Sequence, residues 1–218
     1  YTHNIEYESE YTYNHPNTVV VYTTFASGLI PTFNSAFKLY SVNEVNNGNG
    51  SYTVTITASI NNDAPTSISF VNMTELYSVD YINDTKLTSM YSMFNSCYNL
   101  QTLDVSNWDT SKVTSMNNMF YNCSSLQTLD VSNWDTSKVT SMGNMFSGCS
   151  GLQTIDVSNW DTSSVTSMAG MFIYCSNLQT LDVSNWDTSK VTNMKDMFQN
   201  CSNLQSLDVS KWDTSMVT

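Results

Sequence analysis

Two hydrophobic periodicities are joined end to end and then repeated along most of the chain. Leu103 and Val105 alternate with Asp104 and Ser106, the period-two pattern of a short half-buried strand. Farther on, Met116, Met119, Phe120 and Cys123 fall at i, i+3, i+4 and i+7, which on a helix places all four on one face. Asp109-Thr110-Ser111 lies between them and predicts a turn, because short polar side chains bond nearby backbone amides. Thr114 or Ser115 then stands where a helix cap is needed. The pattern predicts a strand, a turn and a short helix in each unit. It returns every 26 residues, a step kept by Trp108, Trp134, Trp160, Trp186 and Trp212 and by Cys97, Cys123, Cys149, Cys175 and Cys201. Such self-similarity marks stacked units that bury their apolar faces against one another. The expected fold class is therefore an α+β solenoid with a parallel sheet on its strand side. It should occupy residues 76–218, with a degenerate first unit from Leu76, after a β-rich domain at residues 1–75.

In residues 1–75 the clearest strand is Tyr52 to Ile60, where Tyr52, Val54, Ile56, Ala58 and Ile60 alternate with Thr53, Thr55, Thr57 and Ser59. Thr18 to Phe25, Ala36 to Val42 and Thr66 to Val71 are further candidates, separated by Gly28-Leu29-Ile30-Pro31 and Asn46-Asn47-Gly48-Asn49-Gly50. The spacing fits a small all-β, sandwich-like domain. Near the start, Tyr7, Tyr11 and Tyr13 alternate with Glu6, Glu8 and Glu10, as in an edge strand or a strand donated to another subunit.

The opening Leu-x-x-Leu-x-Val resembles the strand segment of leucine-rich repeats. The longer pattern Met-Phe-x-x-Cys-x-x-Leu-x-x-Leu-Asp-Val-Ser-Asn-Trp-Asp-Thr-Ser-x-Val-Thr-x-Met, from about Leu87 to Thr218, resembles the BspA-like branch of leucine-rich-repeat surface proteins. That resemblance implies a secreted or cell-surface protein acting in adhesion or partner binding, with no catalytic residues to carry over.

Two orientations of the tryptophans have different consequences. The Asn107 position becomes Lys211 in the last copy and Tyr81 in the first unit, while the Trp108 position stays apolar and becomes Ile82. An unpaired lysine is almost never fully buried, which favours an inward tryptophan ladder. The alternative is an exposed aromatic strip that stacks on sugar rings. For the cysteines, neighbouring helices would sit about 8 to 10 Å apart, beyond the reach of a disulfide. With no Cys-x-x-Cys pair or His cluster, zinc is not indicated, and the column reads as buried free thiols.

The strand face barely changes between copies. Asp104, Asp130, Asp156, Asp182 and Asp208 form a like-charged file, flanked by Gln101 and Thr102, by Gln127 and Thr128, and by Ser106, Ser132 and Ser158. Three outcomes stand for that file: carboxylates solvated and hydrogen-bonded to Ser and Thr, bound calcium, or a cationic partner. The helix side drifts instead, from Asn117 to Gly143, Ala169 and Lys195. A ligand would accordingly lie along the strand face.

A net charge of −12, with seven lysines and no arginine, argues against nucleic-acid binding. No apolar run approaches the length of a membrane span. Only His3 and His15 are histidines, and no phosphate loop or nucleophile frame appears, so neither catalysis nor a metal or other cofactor is expected. Low charge with abundant Ser, Thr and Asn suits an extracellular or cell-surface protein, and Asn49, Asn72, Asn83, Asn122 and Asn200 begin glycosylation sequons. Tyr1 suggests a processed start, and Val217-Thr218 stops midway through a unit, so further repeats are expected. The resulting functional reading is an extracellular adhesion or ligand-binding repeat protein whose partner is a protein or surface polysaccharide. A structural fibre or appendage subunit that self-assembles through its β-domain is the alternative.

Overall fold

The computed structural model describes residues 3–6, 18–33, 37–60, 67–83 and 87–218. The Tyr7, Tyr11 and Tyr13 alternation, His15, Ala36 and Thr66 lie outside them. Eight strands occur among the described residues: β1 (His3–Glu6), β2 (Thr18–Thr24), β3 (Thr32–Phe33), β4 (Phe37–Asn46), β5 (Tyr52–Ile60), β6 (Ile68–Ser69), β7 (Leu76–Asn83) and β8 (Thr102–Leu103). β4 runs on to Asn46 because Asn43 and Val45 continue the antiparallel register opposite Thr55 and Thr53. The β4–β5 turn is closed by a bond from the Asn47 amide to the Ser51 carbonyl and uses positive φ at Gly48 and Gly50.

Among the described residues, the N-terminal segment is dominated by one large sheet and not by the two comparable sheets that a sandwich needs. Six strands form one sheet in the order β1-β4-β5-β2-β7-β8, and β3 pairs only with β6. Val20, Tyr22, Val54 and Ile56 on β2 and β5 are buried, with Val21, Thr23, Thr53 and Thr55 alternating outward. The buried Glu44 accepts bonds from the Ser27 hydroxyl (2.6 Å) and the Gly28 amide (2.7 Å), which tethers the loop after β2 to β4. β7 joins the two parts of the molecule, since it pairs antiparallel with β2 and parallel with β8. A single apolar core runs from Val20 through Phe70 and Phe94 to Met197.

The expected α+β solenoid of strand-turn-helix units is also corrected, because no helix occurs among the described residues. Where a helix was predicted, consecutive four-residue turns occur. The Met119 amide bonds the Met116 carbonyl (3.2 Å) and the Cys123 amide bonds the Phe120 carbonyl (3.0 Å). Asn118 (φ 55°) and Asn122 (φ 58°) hold the third position of these turns, the left-handed site of a type II turn, where Asn and Gly are preferred. A left-handed residue at every fourth position breaks the i to i−4 ladder of a helix.

The amides between those turns reach the next coil instead. Met116, Asn118, Phe120 and Asn122 donate to the carbonyls of Ser141, Gly143, Met145 and Ser147 at 2.7–3.1 Å. Met116, Met119, Phe120 and Cys123 are nevertheless all fully buried, so the apolar face is conserved between two different backbones. Ser115 caps nothing; it belongs to a parallel bridge series running Ser89, Ser115, Ser141, Ser167 and Asn193. Elsewhere the backbone amides that bond between coils point backward. The Thr140 amide bonds the Thr114 carbonyl (2.9 Å) and the Gln153 amide bonds the Gln127 carbonyl (3.3 Å).

Candidate functional site: a groove along the strand face

The strand segment of each coil turns sharply after its aspartate, and the reason is local. Asp104 Oδ1 accepts bonds from the Ser106 amide (3.1 Å) and hydroxyl (2.7 Å). Asp130 with Ser132, Asp156 with Ser158 and Asp182 with Ser184 repeat the same pair of bonds. These Asx turns fix each carboxylate at the rim of its coil. They also hold the Asp104, Asp130, Asp182 and Asp208 carboxyls below the usual carboxylate range, the serine hydroxyl being the largest cause and the serine amide the next. Repulsion from the neighbouring Asp130 acts on Asp104 in the opposite direction and is weaker.

Stacking these coils produces a groove of about 950 Å³. One wall is the Thr102, Thr128, Thr154 and Thr180 column, continued by Ser206, and the other is the file from Asp104 to Asp208. Leu103, Leu129, Ile155 and Leu181 form the floor, each 6–8% exposed. The sequence places the aspartates and Thr128 here. Gln127 is exposed beside the groove without lining it, and Ser132 and Ser158 act on the groove only through the aspartates they hold. Sequence reasoning missed the floor, because an inward strand residue reads only as core.

It also missed an aromatic pair on the neighbouring β7 side, outside the groove lining. Tyr77 stands in the register position before Ser78, which pairs with Thr102, and its carbonyl accepts the Gln101 amide at 2.9 Å. The Phe25 ring meets it edge-on, with centroids 5.4 Å apart, and Phe25 is 46% exposed. Phe25 comes from the loop after β2, so no repeat pattern could locate it.

The tryptophans lie on the opposite side of the backbone from solvent. Trp134, Trp160 and Trp186 are buried and stack in parallel with centroids 6.2–6.3 Å apart. Each indole Nε1 donates to a valine carbonyl of the preceding coil, Trp160 to Val131 at 3.1 Å. Trp108 and Trp212, at the two ends of the column, are partly buried. This column offers no face to a sugar ring. The cysteines are free, with Cys97, Cys123, Cys149 and Cys175 buried and Cys201 half-buried. Their helix-spacing rationale fails, because the coils sit at parallel-strand separation of about 4.8 Å. Each thiol is instead engaged as a donor, Cys149 Sγ to the Phe120 carbonyl at 3.1 Å. Burial pushes the Cys97 and Cys149 thiols up to about 12.

Among the described residues, no three His, Cys, Asp or Glu side chains converge as a metal site would require. No helix among them is long and apolar enough to cross a membrane. In comparison with known proteins, the pattern of the family described as "Mycoplasma protein of unknown function, DUF285" matches residues 65–155 and 150–218. No curated protein and no solved structure matches the chain.

Proposed function

The chain belongs to the DUF285 family, and from that premise we propose that it is a surface-type repeat protein that binds an extended partner along its strand-face groove. The observation that carries this reading is the groove itself. It crosses five successive coils, four of which repeat the same threonine wall, apolar floor and aspartate wall while the fifth adds Ser206 and Asp208, so the four offer equivalent contacts. A partner with its own repeat gains by engaging several such contacts at once, since every contact after the first is intramolecular. The side made of turns presents unlike residues in successive coils, Asn117, Gly143, Ala169 and Lys195, and offers no such register. The resemblance to BspA-like surface proteins supports the same assignment, adhesion at an extracellular surface.

The test is a comparison of two faces in a cell- or matrix-binding assay with the intact chain. Thr128→Trp and Thr154→Trp fill the groove, whereas Asn117→Trp and Tyr174→Ala alter the turn side. Binding should fall with the first pair and persist with the second. The reverse pattern would refute the groove as the recognition surface. Assembly of the unaltered protein into large particles by light scattering would favour the fibre reading instead.

A further inference from the structure

Resting on that groove, we infer that its ligand is an extended, cationic polypeptide segment, rich in lysine or arginine, laid along the stack axis. The lining holds five carboxylates and no lysine. Each of Asp104, Asp130, Asp156 and Asp182 has Oδ1 already committed to its serine, and a carboxylate accepts hydrogen bonds but donates none. The other oxygen of each is therefore an acceptor in a row of like charges about 4.8 Å apart, which a string of ammonium or guanidinium groups relieves and a neutral polymer does not.

The floor discriminates further. Leu103, Leu129, Ile155 and Leu181 are slightly open to solvent between two polar walls. Lysine and arginine lay their methylene stems on apolar surface while keeping the charge at its edge, and the floor-to-aspartate step matches that division. Beyond Thr102 the next strand is β7, whose Tyr77 carbonyl accepts the Gln101 amide and whose Tyr77 ring packs edge-on with that of the exposed Phe25. An aromatic face is a favourable site for a guanidinium. An arginine reaching past Asp104 to the exposed Phe25 ring would give the ligand a fixed register. From Asp104 to Asp208 is four coil steps, about 19 Å, which an extended chain covers in about six residues.

Fluorescence anisotropy with labelled hexalysine and hexaarginine, and cellohexaose as a neutral competitor, tests this on the intact protein. Both peptides should bind, with affinity that falls as salt rises and that stops improving once the peptide exceeds about six to eight residues. The Asp130→Asn, Asp156→Asn and Asp182→Asn triple variant keeps the Oδ1 acceptor of each Asx turn, so the coil persists. It should weaken hexalysine at least tenfold. Thr154→Trp, which leaves the charge unchanged, should weaken it as well, and Phe25→Ala should affect hexaarginine more than hexalysine. Undiminished hexalysine binding by the triple variant overturns the inference. So does cellohexaose binding in the groove while hexalysine does not, a result that leaves the groove reading standing. If neither binds and only turn-side substitutions abolish cell binding, the groove reading falls with it.

Discussion

Trp160→Ala probes the buried column where it is most complete. The indole is 3% exposed, lies between Trp134 at 6.2 Å and Trp186 at 6.3 Å, and touches Phe146 at 6.4 Å. Truncating a buried Trp costs about 3 to 5 kcal/mol through lost transfer energy and the cavity left behind. The change also removes the indole donor to the Val131 carbonyl, but that carbonyl keeps its bond from the Trp134 amide at 3.2 Å and is not left unpaired. That loss, about 3 to 5 kcal/mol, is comparable to the whole stability of a marginal domain. Trp108→Ala is the internal reference, because that ring is only partly buried and should cost about half as much. Urea unfolding followed by far-ultraviolet circular dichroism measures both. A loss below about 1 kcal/mol at Trp160, or equal losses at the two sites, would refute the argument that the column is held by burial.

Other expectations follow from the same geometry. In native protein the four buried thiols should resist alkylation and Cys201 should react first, while denatured protein titrates five, as mass spectrometry of labelled chains can check. Because Cys97 and Cys149 stay neutral up to about 12 in the fold and ionise near 9 when unfolded, their contribution is intact below 9. It is lost as pH rises toward 12, so the unfolding midpoint should fall across that alkaline range. For Asp130 and Asp182 the sign is opposite. Their folded values lie below 3.8, so any stabilisation is present above that value and disappears in acid, and Ser132→Ala should move the Asp130 titration upward by NMR. Gly148→Ala and Gly48→Ala both place a side chain at φ near +76°. An added Cβ at Gly148 would lie 2.1 Å from Asn122 Oδ1, whereas Gly48 is open. The left-handed penalty of about 1 to 2 kcal/mol is common to both, so Gly148→Ala should be the more destabilising in urea titrations.

What the sequence made legible was position, and what it obscured was backbone. Leu103, Val105, Met116, Met119, Phe120 and Cys123 point inward as their spacing predicts, because burial selects apolar side chains whichever ladder the amides use. The i, i+3, i+4, i+7 spacing fits a helix and a run of four-residue turns equally well. The distinguishing signal was polar: Asn118 and Asn122, then Asn144 and Gly148, recur four residues apart at the left-handed positions, and these are weak helix formers. The cysteine spacing was misjudged for the same reason, since it assumed helical neighbours. On the strand face, the aspartate file could be read from the repeat, whereas the groove floor and the Phe25–Tyr77 pair depend on how β2, β7 and the coils meet in space. The tryptophan direction followed from comparing copies within the chain, through Lys211 and Ile82.

The opposed directions of the bonds between coils have an electrical consequence. In the central coil, the amides of Met142, Asn144, Phe146 and Gly148 and the Thr136 hydroxyl all donate forward. The amides of Thr140 and Gln153, the Thr140 hydroxyl, the Cys149 thiol and the Trp160 indole all donate backward. A helix aligns its peptide dipoles and accumulates partial charge at its ends. Here each junction carries dipoles of both senses, so adding a coil adds little net moment along the stack. The array can lengthen by duplication without charging its ends, and the field along its surface is set by its side chains, above all by the file of aspartates.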